Sequence, residues 1–560
     1  MSASMVTRGQ DFAKELRRVR SEDQERILTE LESRVCEQVL ALRGTPGVQE
    51  VLEESLYRER RRLKDDGGHS PAYEGDQAFW EQIQRSIRHA SDRDLRMLLR
   101  RSIRHYGEEI AGNFDPRVYK VATRILPSGL SVLMNAMSPK RLFTRLPEFP
   151  SIEDSIMIGG ATEEARRLHE QGTVILVPTH VSNLDSIVVG YALYQLGLPP
   201  FIYGAGLNLF TNPLLSFFMH NLGAYTVDRK KSDPLYKEVL KHYATLTLEF
   251  GYDNIFFPGG TRSRSGAIER RLKYGLLGTG VQAYINNLQR KRERPKLFIV
   301  PMTLSFDLVL EAETLIDDFL KEVGKARYII DDDEFAQPKR VFEFVSKLVS
   351  LNSKLHVTLS SACDVFGNPV NPDGESLDPC GRTIDISRYV LKNGEPAPVA
   401  DRDAEYTREV GQHIMKSYLC DNVVSSTHVV ARALFGTLLD RNPRMDVLRV
   451  LRTGGQDDDI ELSELYRATE GLLNELKARQ AKNEIRLAPS LSKPAEDVVA
   501  DALALYSTYH TRPAARRRGD RVVAVDRTLL LYYQNRVEGY GLPGRPALSA
   551  DHRSLAQKPA

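Results

Sequence analysis

The chain has 560 residues, 41% of them hydrophobic and 27% charged, which is enough apolar side chain for a sizeable core and about three domains of ordinary size. Its 77 Lys and Arg stand against 75 Asp and Glu, a net of +2, which excludes a chain-wide nucleic-acid footprint and makes any basic site a local one. The four cysteines, Cys36, Cys363, Cys380 and Cys420, are scattered without metal-ligand spacing, as in a reduced, cytosolic chain.

Residues 1–150 read as a helical region. The segment DFAKELRRVRSEDQERILTELESRVCEQVLAL is charge-dense with apolar residues at helical spacing, and RDLRMLLRRSIRHYGEEIAG repeats the pattern after a polar break. The first twenty residues carry charges where a signal peptide needs an apolar run, and no span offers the roughly 20 apolar residues of a membrane helix. The stretch SGLSVLMNAMSPKRLFTRL is apolar with a basic end and suits either a lipid surface or packing on the next domain.

Residues 151–395 change in texture. The runs TVILVP, PFIYG, AYTV, NIFFP, LFIVPM and LHVTL alternate with helical segments, which predicts an α/β domain with a mostly parallel sheet covered on both faces. Ser186 to Val227 contains no Asp, Glu, Lys or Arg, and suits a buried core or, in part, an acyl-chain groove or membrane-contacting face. Residues 396–560 read as helical again, with a basic run (Arg516, Arg517, Arg518, Arg521) before an apolar segment that suits a solvated face or anionic lipid.

Four segments carry candidate chemistry. In VILVPTHVSNLDSIVVGYAL a strand should end near Pro178, with His180 in the loop, Asn183 as N-cap and Asp185 in the first helical turn. A carboxylate on one ring nitrogen fixes the imidazole tautomer, so that the other nitrogen can take a proton from an alcohol. In FFPGGTRSRSG, Gly259, Gly260 and Gly266 allow close backbone approach, Thr261, Ser263 and Ser265 supply hydroxyls, and Arg262 and Arg264 are planar forks suited to a phosphate monoester. In LGAYTVDRKKSD, Arg229, Lys230 and Lys231 should add cations beside the same pocket. In LFIVPMTLSFD, Pro301 has no N–H to donate, which predicts a bulge or an edge strand.

These four blocks, in this order, resemble the glycerolipid acyltransferase superfamily, and among its members the large glycerol-3-phosphate acyltransferases. His180 and Asp185 match its H-x4-D block, GAYTVDR its arginine block with Arg229 last, FPGGTRSRSG its F-x-E-G-T-R-S-R-S-G block, and Val300 with Pro301 its V-P strand. The resemblance implies an O-acyltransferase of phospholipid biosynthesis that moves a fatty acyl group from acyl-CoA or acyl carrier protein to glycerol 3-phosphate, or to dihydroxyacetone phosphate or lysophosphatidate. It implies His180 as base supported by Asp185, with the phosphate held by Arg229, Arg262 and Arg264 in a loop shaped by Gly260, Thr261 and Ser263. Pro301 would help form the acceptor or acyl site. No metal or organic cofactor is implied, and the expected place is peripheral, on the cytoplasmic face of a membrane. The chain departs from the family in lacking the third block's glutamate, with Gly259 standing there in the ungapped alignment, or Pro258 where a gap is placed to match the E-G-G-R-S-R variant, and in carrying Asp228 for an arginine. Asp228 is then expected to pair with Arg262 or Arg264. Two other classes stand beside this reading: a thioesterase or lipid hydrolase in which His180 activates water, and a membrane-surface scaffold without turnover.

Overall fold

The computed structural model describes residues 21–66, 73–112, 155–206, 223–228, 230–323, 353–453, 459–507 and 510–544. The apolar–basic segment 128–146, the middle of the uncharged stretch (207–222) and Arg229 lie outside the described residues.

Three helices open the described chain: α1 (Ser21–Asp66), bent at Gly44, α2 (Tyr73–Ile87) and α3 (Asp92–Ile110). Ser91 starts α3 with a capping box, accepting from the Asp94 N–H while the Asp94 carboxylate accepts from the Ser91 N–H. Leu95, Leu98, Leu99, Ile103, Tyr106 and Ile110 recur at helical spacing and form its buried stripe. That stripe meets Ile27, Leu31 and Val35 of α1 and Trp80 of α2 in one core, which continues into Tyr225, Tyr236 and Tyr243 of the next domain.

The central sheet has eight strands: β1 (Ile156–Gly160), β2 (Thr173–Pro178), β3 (Ile202–Gly206), β4 (Ala224–Val227), β5 (Asn254–Ile255), β6 (Leu297–Phe306), β7 (Leu355–Leu359) and β8 (Cys363–Asp364). Their order is β1-β7-β6-β2-β5-β3-β4, with β8 also on β6. β6, β2, β5, β3 and β4 are mutually parallel; β7 and β8 run against β6, and β1 follows β7. The sheet is therefore α/β and mostly parallel, as its apolar runs predict. Every residue of β2 and β6 is buried, because helices cover both faces. The crossovers are α4 (Thr162–Gln171), α5 (Asp185–Gln195), α6 (Pro234–Glu249) and α7 (Tyr274–Gln289), followed by α8 (Ala312–Val323).

Pro301 is neither in a bulge nor on an edge: it sits inside central β6, opposite Val177 of β2. Its carbonyl accepts from Ser360 N–H, so its missing donor faces the same side. That side is where the neighbour changes, from β8 at Phe298 and Ile299 to β7 at Met302. No ladder donor is needed in the gap, which is why the proline is tolerated.

The C-terminal region is helical around α9 (Ala400–Asp421), α10 (Ser426–Arg441), α11 (Val447–Thr453), α12 (Leu462–Ala481), α13 (Ala495–Tyr506) and α14 (Arg527–Glu538). It also holds a three-stranded antiparallel sheet of Asp459–Glu461, Arg521–Ala524 and Ala515–Arg518, which helical periodicity does not foresee. The apolar side chains of these helices share a single core with the central sheet. Among the described residues no helix is long and apolar enough to cross a membrane. All four cysteines are free thiols.

Candidate active site

β2 and β5 are parallel neighbours, so the loops that follow them leave the sheet at the same end. The first loop carries His180 and the second is the glycine–arginine loop. His180 Nδ1 lies 2.8 Å from Asp185 Oδ2. The same oxygen accepts from the backbone N–H of Val181 (2.6 Å) and Ser182 (2.9 Å), which clamps the carboxylate at the first turn of α5. Helix α5 begins one residue later than expected: its cap is Leu184, without a side-chain bond. Asn183 instead gives its backbone N–H to Glu311 Oε1 at 2.9 Å.

Asp185 is fully buried, and its Oδ1 has no hydrogen-bond partner. Burial pushes its pKa upward, against the two backbone N–H groups and the more distant Arg262 and Arg536, which pull it down. An ionised carboxylate so placed would gain most when the adjacent imidazole takes a proton. The His180 ring lies over Phe257, with centroids 4.5 Å apart.

The second loop is docked on the first. Ser263 N–H donates to the His180 carbonyl (2.8 Å), and the His180 N–H donates to Glu269 Oε1 (2.7 Å). Two turns build the loop. Gly260 N–H closes on the Phe257 carbonyl, and Gly266 N–H reaches the Ser263 carbonyl; both glycines have positive φ, 76° and 79°. The Ser263 hydroxyl donates to the Ala267 carbonyl and Thr261 is half-buried in the loop. Each glycine also has an internal neighbour. A Cβ at Gly260 would meet the Lys273 side chain at 2.6 Å, and one at Gly266 the Tyr532 carbonyl oxygen at 2.2 Å.

Arg262 and Arg264 leave this loop part-exposed, and each touches a carboxylate with one nitrogen: Glu311 at 3.5 Å and Glu322 at 3.1 Å. Asp228 pairs with neither. It accepts from Lys230 N–H, and its own N–H donates to the Tyr236 hydroxyl. Lys231 does not reach the site either. Its ammonium is buried against Glu109 (2.5 Å) and Glu59 (3.6 Å) under the rings of Tyr106 and Tyr236, joining β4 to the N-terminal helices. Pro301 lies in the sheet at the level of Val177, below His180.

Three groups that sequence reasoning missed complete the surroundings. Glu311 accepts from the Ser182 hydroxyl (2.8 Å), Asn183 N–H and Arg262, and so ties both loops together. The Ser182 hydroxyl is thereby buried and engaged, not a nucleophile. Glu269 holds the His180 backbone. Arg536 of α14 is buried beneath the site, donating to Asn422 Oδ1 (2.7 Å) and the Leu304 carbonyl (2.6 Å). No motif marks Glu311, which stands past Asp307 and outside β6, and Glu269 and Arg536 have no signal either.

A fully buried carboxylate and a part-exposed imidazole, with arginines alongside, lie at the carboxyl ends of parallel strands, and residues 161–305 match the acyltransferase family. Over this part the chain is similar to glycerol-3-phosphate acyltransferases. It is 29% identical over 236 residues to the glycerol-3-phosphate acyltransferase of Aeromonas hydrophila, a match covering 41% of this chain and 26% of that one. It is 31% identical over 211 residues to that of Shewanella sp. (strain ANA-3), covering 37% and 23%. The match thus spans about a quarter of the length of these relatives. Among solved structures, the 1-acyl-sn-glycerophosphate (LPA) acyltransferase of Thermotoga maritima aligns at 13% identity over 53% of this chain and 91% of that one, with a TM-score of 0.24, too low to carry weight.

Proposed function

We propose that the chain transfers a fatty acyl group from an acyl thioester, of coenzyme A or acyl carrier protein, to a hydroxyl of glycerol 3-phosphate. The observation that carries this reading is the docking of the arginine loop on His180 itself, through Ser263 N–H to the His180 carbonyl at 2.8 Å. A phosphate held by Arg262 and Arg264 would then lie a fixed short distance from the imidazole.

In this mechanism His180 Nδ1–H stays with Asp185, and Nε2 removes the acceptor's hydroxyl proton as the oxygen attacks the thioester carbonyl. The tetrahedral intermediate collapses with loss of the thiolate, which takes the proton from the imidazolium. No acyl-enzyme forms. Arg262 and Arg264 exchange their single carboxylate contacts for bidentate phosphate contacts, and the match between fork and phosphate favours that exchange. Gly260, Thr261 and Ser263 hold the loop in shape, Arg229 adds a phosphate contact and Pro301 lines the acceptor or acyl side. The exposed Arg516, Arg517 and Arg518 suit anionic headgroups at about 1 kcal/mol each, consistent with peripheral work at a membrane.

The test offers purified protein a labelled acyl thioester with glycerol 3-phosphate, dihydroxyacetone phosphate or lysophosphatidate in parallel. Labelled lysophosphatidate from the first arm is expected. Free fatty acid at the same rate in every arm, acceptor present or absent, would convert the assignment to a hydrolase.

A further inference from the structure

The site's glycine–arginine loop has a glycine where the related pattern has a glutamate, and the structure shows what fills the space. A Cβ built at Gly259 would stand 2.6 Å from Glu269 Oε2, 2.7 Å from its Cδ and 3.0 Å from Oε1. These are closer than side-chain atoms ordinarily approach, so a side chain at 259 requires the Glu269 carboxylate to shift. The Gly259 backbone does not have the positive φ that would itself call for glycine. The Glu269 carboxylate is thus the neighbour that the absence of a side chain accommodates.

The carboxylate is placed to act. Oε1 accepts the backbone N–H of His180 at 2.7 Å, while Ser263 N–H holds the carbonyl of the same residue at 2.8 Å. His180 is thus gripped at both backbone groups by the arginine loop and its continuation, and at the ring by Asp185. Oε2 is buried and has no hydrogen-bond partner. A buried, half-satisfied carboxylate is costly, and a role other than packing explains its retention. Burial also raises its pKa to about 8, ahead of the His180 N–H, which lowers it.

We infer that Glu269 is the loop's carboxylate relocated: supplied from ten residues downstream into the volume vacated at Gly259, it positions the His180 backbone for proton transfer. This rests on the acyltransferase reading. It makes Glu269 a positioning residue, acting on the acceptor through His180, while the arginine pairing expected of Asp228 falls to Glu311 and Glu322.

The test is an exchange cycle of Glu269→Ala, Gly259→Glu, the double variant Gly259→Glu/Glu269→Ala and the control Gly259→Leu/Glu269→Ala, whose side chain accepts no hydrogen bond, each assayed for acyl transfer and thermal unfolding. Glu269→Ala should lower kcat about 10²-fold, as a small misplacement of a catalytic group does, with acceptor KM held within about threefold. Gly259→Glu alone should be as slow or slower and should unfold at a lower temperature. The double variant should regain most of kcat, and the leucine control should not. Unchanged kcat in Glu269→Ala, a double variant as slow as Glu269→Ala, or equal rescue by leucine would each overturn the inference. If the wild type transfers no acyl group to any acceptor, the enzymatic reading fails on that ground. The unfolding arm still reads the exchange: recovery of the Gly259→Glu midpoint in the double variant upholds shared occupancy of the space, and no recovery refutes it.

Discussion

The imidazole and carboxylate of His180 and Asp185 are five positions apart in one loop-to-helix junction, and that closeness in sequence is why the pair is legible without coordinates. Replacing His180 with alanine should cut acyl transfer by about 10²–10⁴-fold, the usual contribution of a general base, with acceptor KM little changed. Asp185→Asn should approach the same loss, because an amide in place of Oδ2 cannot accept from His180, Val181 and Ser182 together; steady-state kinetics on both variants check this. Glu269 also sets a pH dependence of stability. Burial raises its pKa to about 8 in the folded protein, against about 4.3 for a free glutamate. The folded chain keeps a proton that the unfolded chain releases near pH 4. The stabilising contribution is full below that pH and is lost as the pH rises toward about 8. The groups facing Glu269 include the His180 N–H, Asp185 on α5, Tyr418 on α9 and Arg536 on α14. Thermal midpoints of the wild type should fall between about pH 5 and about pH 8, and Glu269→Gln should flatten that slope; parallel slopes would refute it.

At the level of elements, the continuously apolar strands were readable because a strand buried on both faces has no polar side to interrupt it. The context of Pro301 was not, since the change of partner from β8 to β7 depends on residues some sixty positions away. The hairpin around Gly519 was equally hidden: its arginines point outward and leave no alternation to read. Helix α14 matters most here, because it forms the floor of the arginine loop. Asn535 Nδ2 donates to the Ser265 carbonyl at 2.9 Å, and Gly266 lies against the Tyr532 carbonyl oxygen. Gly266→Ala adds a methyl group where none fits and a side chain at φ 79°. It should cost about 1–3 kcal/mol and most of the activity. Asn535→Ala removes one hydrogen bond and should cost about 1 kcal/mol. Denaturant midpoints beside transfer rates separate the two; a Gly266→Ala variant as stable and active as wild type would mean that the loop does not rest on α14.

Across the molecule, the N-terminal helices are fastened to the acyltransferase domain by charges that a linear reading assigns to the pocket. Lys231 is the centre of that junction, with Glu109 and Glu59 on it and Arg62 joining Glu59 to Asp76. Further along, Arg34 makes a bidentate contact with Glu249 on α6 at 2.6 Å to each oxygen. Lys231→Ala leaves the part-exposed Glu109 without this cation and Glu59 with Arg62, and should destabilise by about 1–3 kcal/mol, with earlier proteolytic cutting between residues 21 and 110. Retention of the wild-type midpoint would show the helices to be held by packing alone. The reach of α14 back to the arginine loop has a consequence for synthesis. The loop and the helix that carries it are about 270 residues apart. A ribosome that has made His180, Asp185 and both arginines has not yet made their support. On the proposed reading, the arginine loop therefore has no floor until residues 527–538 have been made.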